Sequence, residues 1–490
     1  MNHLRARCQN CLPWLLLLIT FLVYAKCLPT FFVQDDFWFL RDTLKPLPNR
    51  MMVAGALSEY LRPIPTYWLP LANRYIWGLN PFGFHLSQMA CLLATVYAIY
   101  RIILRQTESS IAASVAAFVY GLSKVHLYNV SWVAGGIDTT AGCFMTLTLL
   151  AIICYEKGEG ALWPIGAACA IALLSKESSV IVIGAWVGAV AVRVLLAKLL
   201  RAPTDNDSTL TESAKPPSSA AGWLTRRELR IALLLMGVMA AYAVLRLSLI
   251  SRRPELGLDF ARFKYLIKSS IVAILPVIEP FTPIHKAWVL LPLTIAAGAF
   301  LLRPARKAHE ATLGLLLFLS HAAMFAVSVK LPPSLSLYYA HFNVIGLALL
   351  SGLCSAGLIQ RCKWRPMVVP MRAAAVLLLA AYVCQSSAVI HESIATAHAA
   401  PLFSARYSLA AYQQLRTLIG DRPYRKVVFL QPSEQMWWAT GFGEMFLSMF
   451  PGVDAQFDGK KGYRAAPEIK TDDTTLVVRQ ISEFDFQVVR

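Results

Sequence analysis

The chain carries too little charge to be an ordinary soluble protein. Only 15% of its 490 residues are Asp, Glu, Lys or Arg, while 57% are hydrophobic; soluble proteins carry about 25% charged residues. It has no Gly-rich phosphate loop, which argues against a nucleotide-sugar or ATP site. Its His and Cys residues nowhere take zinc-ligand spacing, and the CxxC at Cys8 and Cys11 has neither a second pair nor a nearby His. None of the ten cysteines lies beyond Cys384, so a disulfide-stapled C-terminal exterior domain is excluded. No internal repeat is visible, and inverted repeats are what a transporter usually shows.

What is present is apolar sequence in long runs. Mean hydropathy is +0.53, and runs of about 20 apolar residues read as transmembrane helices. The fold class expected is an all-α polytopic membrane protein with about 11 spans, at roughly 12–32, 84–104, 111–122, 139–155, 162–174, 180–200, 231–250, 287–302, 311–329, 338–358 and 368–390. The net charge of +18 marks cytoplasmic loops and anionic headgroup contacts rather than nucleic acid. Arg5 and Arg7 place the N-terminus in the cytoplasm, and odd crossings then place the C-terminus outside.

This topology gives a transmembrane module over 1–390 and a small extracytoplasmic α/β domain over 391–490. A large first exterior loop covers 34–83, with short helices on the membrane surface. Residues 201–229 form a cytoplasmic linker whose composition buries no core. The segment 269–281 is too short to span and reads as amphipathic or re-entrant. The domain is expected to contain a helix at 409–419, a strand at 426–430, a helix at 435–450 and strands at 474–478 and 484–489.

Ionisable groups at a membrane boundary cost free energy and suggest function. They collect on the exterior face: Asp35 and Asp36, Arg62, His85, the segment 123–138 with Lys124, His126 and Asp138, then Lys176, Glu177, Lys330, Tyr339 and His341. Each alone has a plain structural role. The acid pair caps a helix or faces water; Lys124 snorkels; Tyr338 and Tyr339 belong to an interfacial belt; Lys176 and Glu177 compensate each other. Together they form the set a glycosyl transfer needs. A carboxylate takes the proton of the incoming hydroxyl, and Arg or Lys stabilises a departing sugar phosphate. No cofactor is required, although paired acids also offer ligands for Mg²⁺ or Mn²⁺.

Four segments carry a resemblance: Phe32-Val33-Gln34-Asp35-Asp36; Tyr60-Leu61-Arg62-Pro63 with residues 77–85; residues 126–138; and Leu173-Leu174-Ser175-Lys176-Glu177-Ser178. The sequence resembles polyprenyl-phosphate-dependent membrane glycosyltransferases of the C-type superfold. Within them it is similar to bacterial relatives of the protein O-mannosyltransferases, including the tetratricopeptide-linked type, here without the repeats. Gly136 stands where relatives often carry Arg. The resemblance implies a polyprenyl-phosphate sugar donor in the bacterial inner membrane. It also implies a single inverting displacement with a first-loop Asp, Asp35 by position, as the base. Donor and acceptor contacts would fall to Arg62, His85, Asp138, Lys176, Glu177, Tyr339 and His341. The acceptor, whether lipid, glycan or protein, is left open. The alternatives are a multi-pass transporter or lipid flippase of glycan precursors, or a structural membrane subunit.

Overall fold

The computed structural model describes residues 2–44, 60–199, 225–250, 259–274, 305–327, 337–361, 365–397, 400–420, 424–430, 433–450, 452–457, 473–482 and 484–489. The expected span at 287–302, the surface segment around 51–57, most of the linker and Lys330 lie outside the described residues. So does the second half of the segment read as re-entrant.

In lipid every backbone polar group must be satisfied within its own segment, so the apolar runs become helices. α1 (Asn2–Tyr24) runs on through a 3-10 turn at Ala25–Cys27, and α2 (Asp36–Asp42) begins at the second acid of the pair. A π-turn at Ile64–Trp68 leads into α3 (Leu69–Trp77). α4 (Pro81–Thr107) starts where the sequence signals it: Asn80 accepts from Phe82 N, and Pro81 occupies the first turn. α5 (Ser110–Gly121), α6 (Val125–Ser131), α7 (Gly136–Glu156), α8 (Trp163–Ser175) and α9 (Val180–Leu199) complete the first half. α10 (Arg226–Leu249) opens with a reciprocal capping box between Thr225 and Glu228. α11 (Phe260–Ile274), α12 (Ala305–Val327), α13 (His341–Arg361) and α14 (Arg365–Ala395) complete the bundle.

Among the described residues six helices are long and apolar enough to cross a membrane, or seven if the bent pair α5–α6 is one span. Shorter apolar helices cover Cys11–Cys27, Trp163–Ser175 and Thr312–Met324. Every expected crossing except the one at 287–302 therefore coincides with an apolar helix, and the chain is an integral membrane protein.

The segment 123–138 differs from the exterior loop expected. α5 and α6 meet at a bend of 61°, and α6 is buried in the bundle rather than looping into water. The break is satisfied by protein. Lys124 N and Ser123 Oγ both donate to Ala273 O, at 2.9 and 3.1 Å. Tyr24 Oη donates to Ser123 O at 2.7 Å. Irregular backbone at membrane depth is tolerated on these terms. Lys124 is itself buried, not snorkelling.

α14 continues to Ala395, past the boundary expected at 390. Beyond it α15 (Ala400–Ile419) precedes β1 (Lys426–Leu430), α16 (Glu434–Ala439), α17 (Glu444–Met449), β2 (Asp454–Phe457), β3 (Thr475–Gln480) and β4 (Phe486–Val488). The sheet order is β2-β1-β3-β4, with β1 parallel to both neighbours and β4 antiparallel to β3. The single helix expected over 435–450 is split, because Gly441 and Gly443 take left-handed φ of 57° and 89°. β2 was not expected from the sequence.

This α/β unit shares one apolar core with the first loop. Phe31, Phe32, Val33, Phe37, Leu40 and Phe84 pack with Ala411, Val427, Phe429, Met436, Met445 and Val478. The acid pair is thus clamped between the bundle and the C-terminal unit.

Candidate active site

Asp35 and Asp36 adjoin in sequence but occupy opposite environments. Gln34 has a positive φ of 49°. The tight turn there, closed by Asp36 N donating to Val33 O at 3.0 Å, sends the two side chains apart. Asp36 is 0% exposed. Its Oδ2 accepts from Val33 N at 3.0 Å and its Oδ1 from Ala134 N at 2.7 Å. Burial pushes its pKa up to about 8, against these backbone donors and with help from the Asp35 charge. Asp36 therefore ties the first loop to the start of α7.

Asp35 sits at the N-cap position of α2, yet its side chain makes no capping bond. As a residue Asp35 reaches solvent, while the protein around its carboxyl removes enough water to raise its pKa above the ordinary carboxylate value.

The Asp36 tie leads to two ion pairs. Four residues after Ala134, Asp138 Oδ1 accepts from Lys176 Nζ at 2.5 Å, and Lys176 is only 6% exposed. Tyr339 and Phe342 flank the same ammonium, with ring centroids 5.7 and 5.4 Å away. The next residue, Glu177, receives a two-pronged contact from Arg62: Nε to Oε2 at 2.8 Å and Nη2 to Oε1 at 2.5 Å. Arg62 also lies over the Tyr60 ring at 4.2 Å. Burial works against its charge, but Glu177 first and Asp138 second hold its pKa above the usual guanidinium value. Charges alternate through Arg62, Glu177, Lys176 and Asp138. Lys176 has three donors, of which Asp138 takes one, and Arg62 Nη1 makes none of the bonds to Glu177. An arriving anion would find those donors already oriented. Ser178 Oγ and Thr139 Oγ1, next to these pairs in sequence, are buried without a hydrogen-bond partner.

Two expected contact residues are engaged in buried hydrogen bonds, and one of them, His341, adjoins the Phe342 that flanks the Lys176 ammonium. His85 is fully buried, and its Nε2 lies 2.9 Å from Thr30 O, tying α4 to the loop after α1. His341 joins three helices. Asn129 Nδ2 donates to Nδ1 at 2.7 Å, which leaves Nε2 protonated toward the Tyr120 hydroxyl at 3.1 Å. Both histidines thus link separate segments through buried hydrogen bonds.

Sequence reasoning missed Gln88. Its Nε2 donates to Trp132 O and Val133 O, at 3.1 and 2.6 Å, steadying the segment that presents Ala134 N to Asp36. The signal was available: a polar residue nearly one turn after His85 in an apolar span. Gly136 makes room for it, since a Cβ there would lie 2.6 Å from Gln88 Nε2.

Asp36→Asn separates the two acids. The amide keeps one acceptor oxygen, so Val33 N or Ala134 N loses its partner at a cost of about 1–3 kcal/mol. The wild type should also lose stability as pH rises from about 4 to about 8. Over that range the folded state holds a proton that the unfolded chain, at the ordinary value of 3.8, has released. One proton corresponds to at most about 1.4 kcal/mol per pH unit. Thermal unfolding in detergent across that range is the measurement; an Asn variant with the wild-type slope would contradict this account.

A family model described as dolichyl-phosphate-mannose-protein mannosyltransferase matches residues 62–204, the stretch that runs from Arg62 through α9. Two crystal structures of ArnT from Cupriavidus metallidurans share the fold. The one bound to undecaprenyl phosphate is 13% identical, with a TM-score of 0.51; the one in the apo state is 12% identical, with a TM-score of 0.50. Each match covers 95% of this chain and 92% of that one. No curated protein matches the sequence. The resemblance to C-type membrane glycosyltransferases read from the four segments is borne out in both the family match and the fold.

Proposed function

We propose that this chain, built on the ArnT-like membrane fold, is a glycosyltransferase that moves a sugar from a polyprenyl-phosphate donor to a hydroxyl acceptor. The observation that carries the reading is the arrangement around Asp35. One accessible carboxylate stands beside a buried twin, and that twin is bonded to the segment leading into the Asp138–Lys176 pair. Asp35 takes the acceptor proton as its oxygen attacks the anomeric carbon. The C–O bond to phosphate breaks with inversion, and the polyprenyl phosphate leaves. Lys176 Nζ and Arg62 Nη1 stabilise the charge that develops on the departing phosphate. Tyr339 and Phe342 keep the ammonium in a low-dielectric setting, where its charge acts more strongly. His85 and His341 position helices rather than touch substrate.

The reading is metal-independent. Asp36 spends both oxygens on backbone donors, Asp138 holds Lys176 and Glu177 holds Arg62. Asp35 alone is a poor ligand set for Mg²⁺ or Mn²⁺. The loop charges support a site on the extracytoplasmic side, and the family resemblance supports a bacterial inner membrane.

The test is purified protein in nanodiscs with polyprenyl-phosphate monosaccharides and a panel of envelope lipid, glycan and peptide acceptors. Release of polyprenyl phosphate together with a glycosylated acceptor of inverted anomeric configuration, insensitive to chelator, is expected. Retention would overturn the single displacement. Movement of the intact lipid across the bilayer without sugar release would favour the flippase.

A further inference from the structure

The C-terminal α/β unit touches the catalytic loop at its most constrained residue. Gln34 holds a left-handed φ of 49°, uncommon for a side-chain-bearing residue, and it immediately precedes Asp35. Its N–H donates out of the loop to Ala439 O at 3.2 Å, at the C-terminal end of α16. Ser408 Oγ of α15 donates to the same carbonyl at 2.6 Å and fixes it from behind. The Gln34 carbonyl accepts from Phe37 N at 3.2 Å, which starts α2. Against that carbonyl lies Gly441, where a Cβ would stand 2.6 Å from Gln34 O and 3.1 Å from Phe37 Cδ2. The Phe37 side chain is fully buried in the core shared with Met436 and Met445.

Both peptide units that flank Gln34, one through its N–H and the other through its carbonyl, are therefore set by the 439–441 turn. The geometry points to Ala439 and Gly441 as positioning residues for Asp35: the C-terminal unit aims the catalytic carboxylate and does more than cover the site. The bundle supplies the cations and the Asp36 anchor, and the α/β unit supplies the backbone mould for the residue next to the base. The inference rests on the proposed role of Asp35.

Gly441→Asn tests it. Asn tolerates a left-handed φ, so the turn can still form, but its Cβ must displace Gln34. Gly420→Asn is the control. Gly420 also has a positive φ, 48°, in the same unit, and among the described residues a Cβ there meets only Thr417 O at 3.6 Å. A displacement near 1 Å at a reacting group costs about 10²-fold. We therefore expect kcat to fall about ten- to hundredfold in Gly441→Asn, with binding of polyprenyl phosphate unchanged and Gly420→Asn at the wild-type rate. Equal rates in the two variants, with Asp35→Asn inactive, would overturn this inference and leave the proposed function standing. An active Asp35→Asn would overturn the role of Asp35 itself. Should Gly441→Asn fail to fold, hydrogen exchange on the wild type decides: the Gln34 amide should be protected like those of β1, and exchange at the rate of an unfolded chain would overturn the contact.

Discussion

Asp35→Asn should lower turnover by about 10²- to 10⁴-fold, the range expected when a general base is removed, and leave binding of the lipid phosphate nearly intact. The side chain makes no capping bond, so its loss removes chemistry rather than structure, and the melting temperature should hold. Asp36→Asn should show the reverse balance, losing stability first. A general base must be ionised to act, so in the proposed role of Asp35 kcat/KM should fall as pH drops through its pKa. Desolvation raises that pKa above the ordinary 3.8, which places the acid limb at a higher pH than a solvent-exposed aspartate would give. A pH–rate profile beside thermal unfolding of both variants separates the roles. Equal loss of activity and of stability in the two would show the pair acting as one structural unit.

How far the sequence reached depended on the kind of signal. Spans such as α4 and α7 were legible because an apolar run of about 20 residues matches the thickness of a bilayer and little else in a protein. The α5–α6 bend was not, since its broken backbone is satisfied by Ala273, 150 residues away from Ser123, and no local pattern announces a distant acceptor. Arg62, Asp138, Lys176 and Glu177 were legible as a group because charges in or beside apolar runs are costly. Their pairing was not: adjacent Lys176 and Glu177 suggested mutual compensation, yet each takes a partner far away in sequence, Asp138 and Arg62. Asp35 and Asp36 could not be told apart, because the turn at Gln34 that parts them depends on contacts with the C-terminal unit.

The largest combined effect on stability and activity should come from Lys176. Lys176→Met leaves the 3% exposed Asp138 carboxylate without its cation, and breaking a buried pair from one side costs about 3–5 kcal/mol. Transfer should also fail, since the ammonium proposed to meet the departing phosphate is gone. The double variant Lys176→Met with Asp138→Leu resolves which loss matters. Replacing both charges with apolar groups of similar size is often neutral or stabilising, so the double variant should recover most of the lost melting temperature. It should remain as inactive as the single variant, because nothing restores a cation at the phosphate. Recovery of turnover together with stability would assign the pair to helix packing between α7 and the end of α8, and would leave Arg62 as the remaining cation for the leaving group. Arg62→Lys addresses that alternative: it keeps the charge but loses the two-pronged geometry on Glu177. A drop in rate for Arg62→Lys, with an inactive but stable double variant, would assign both cations to the leaving phosphate.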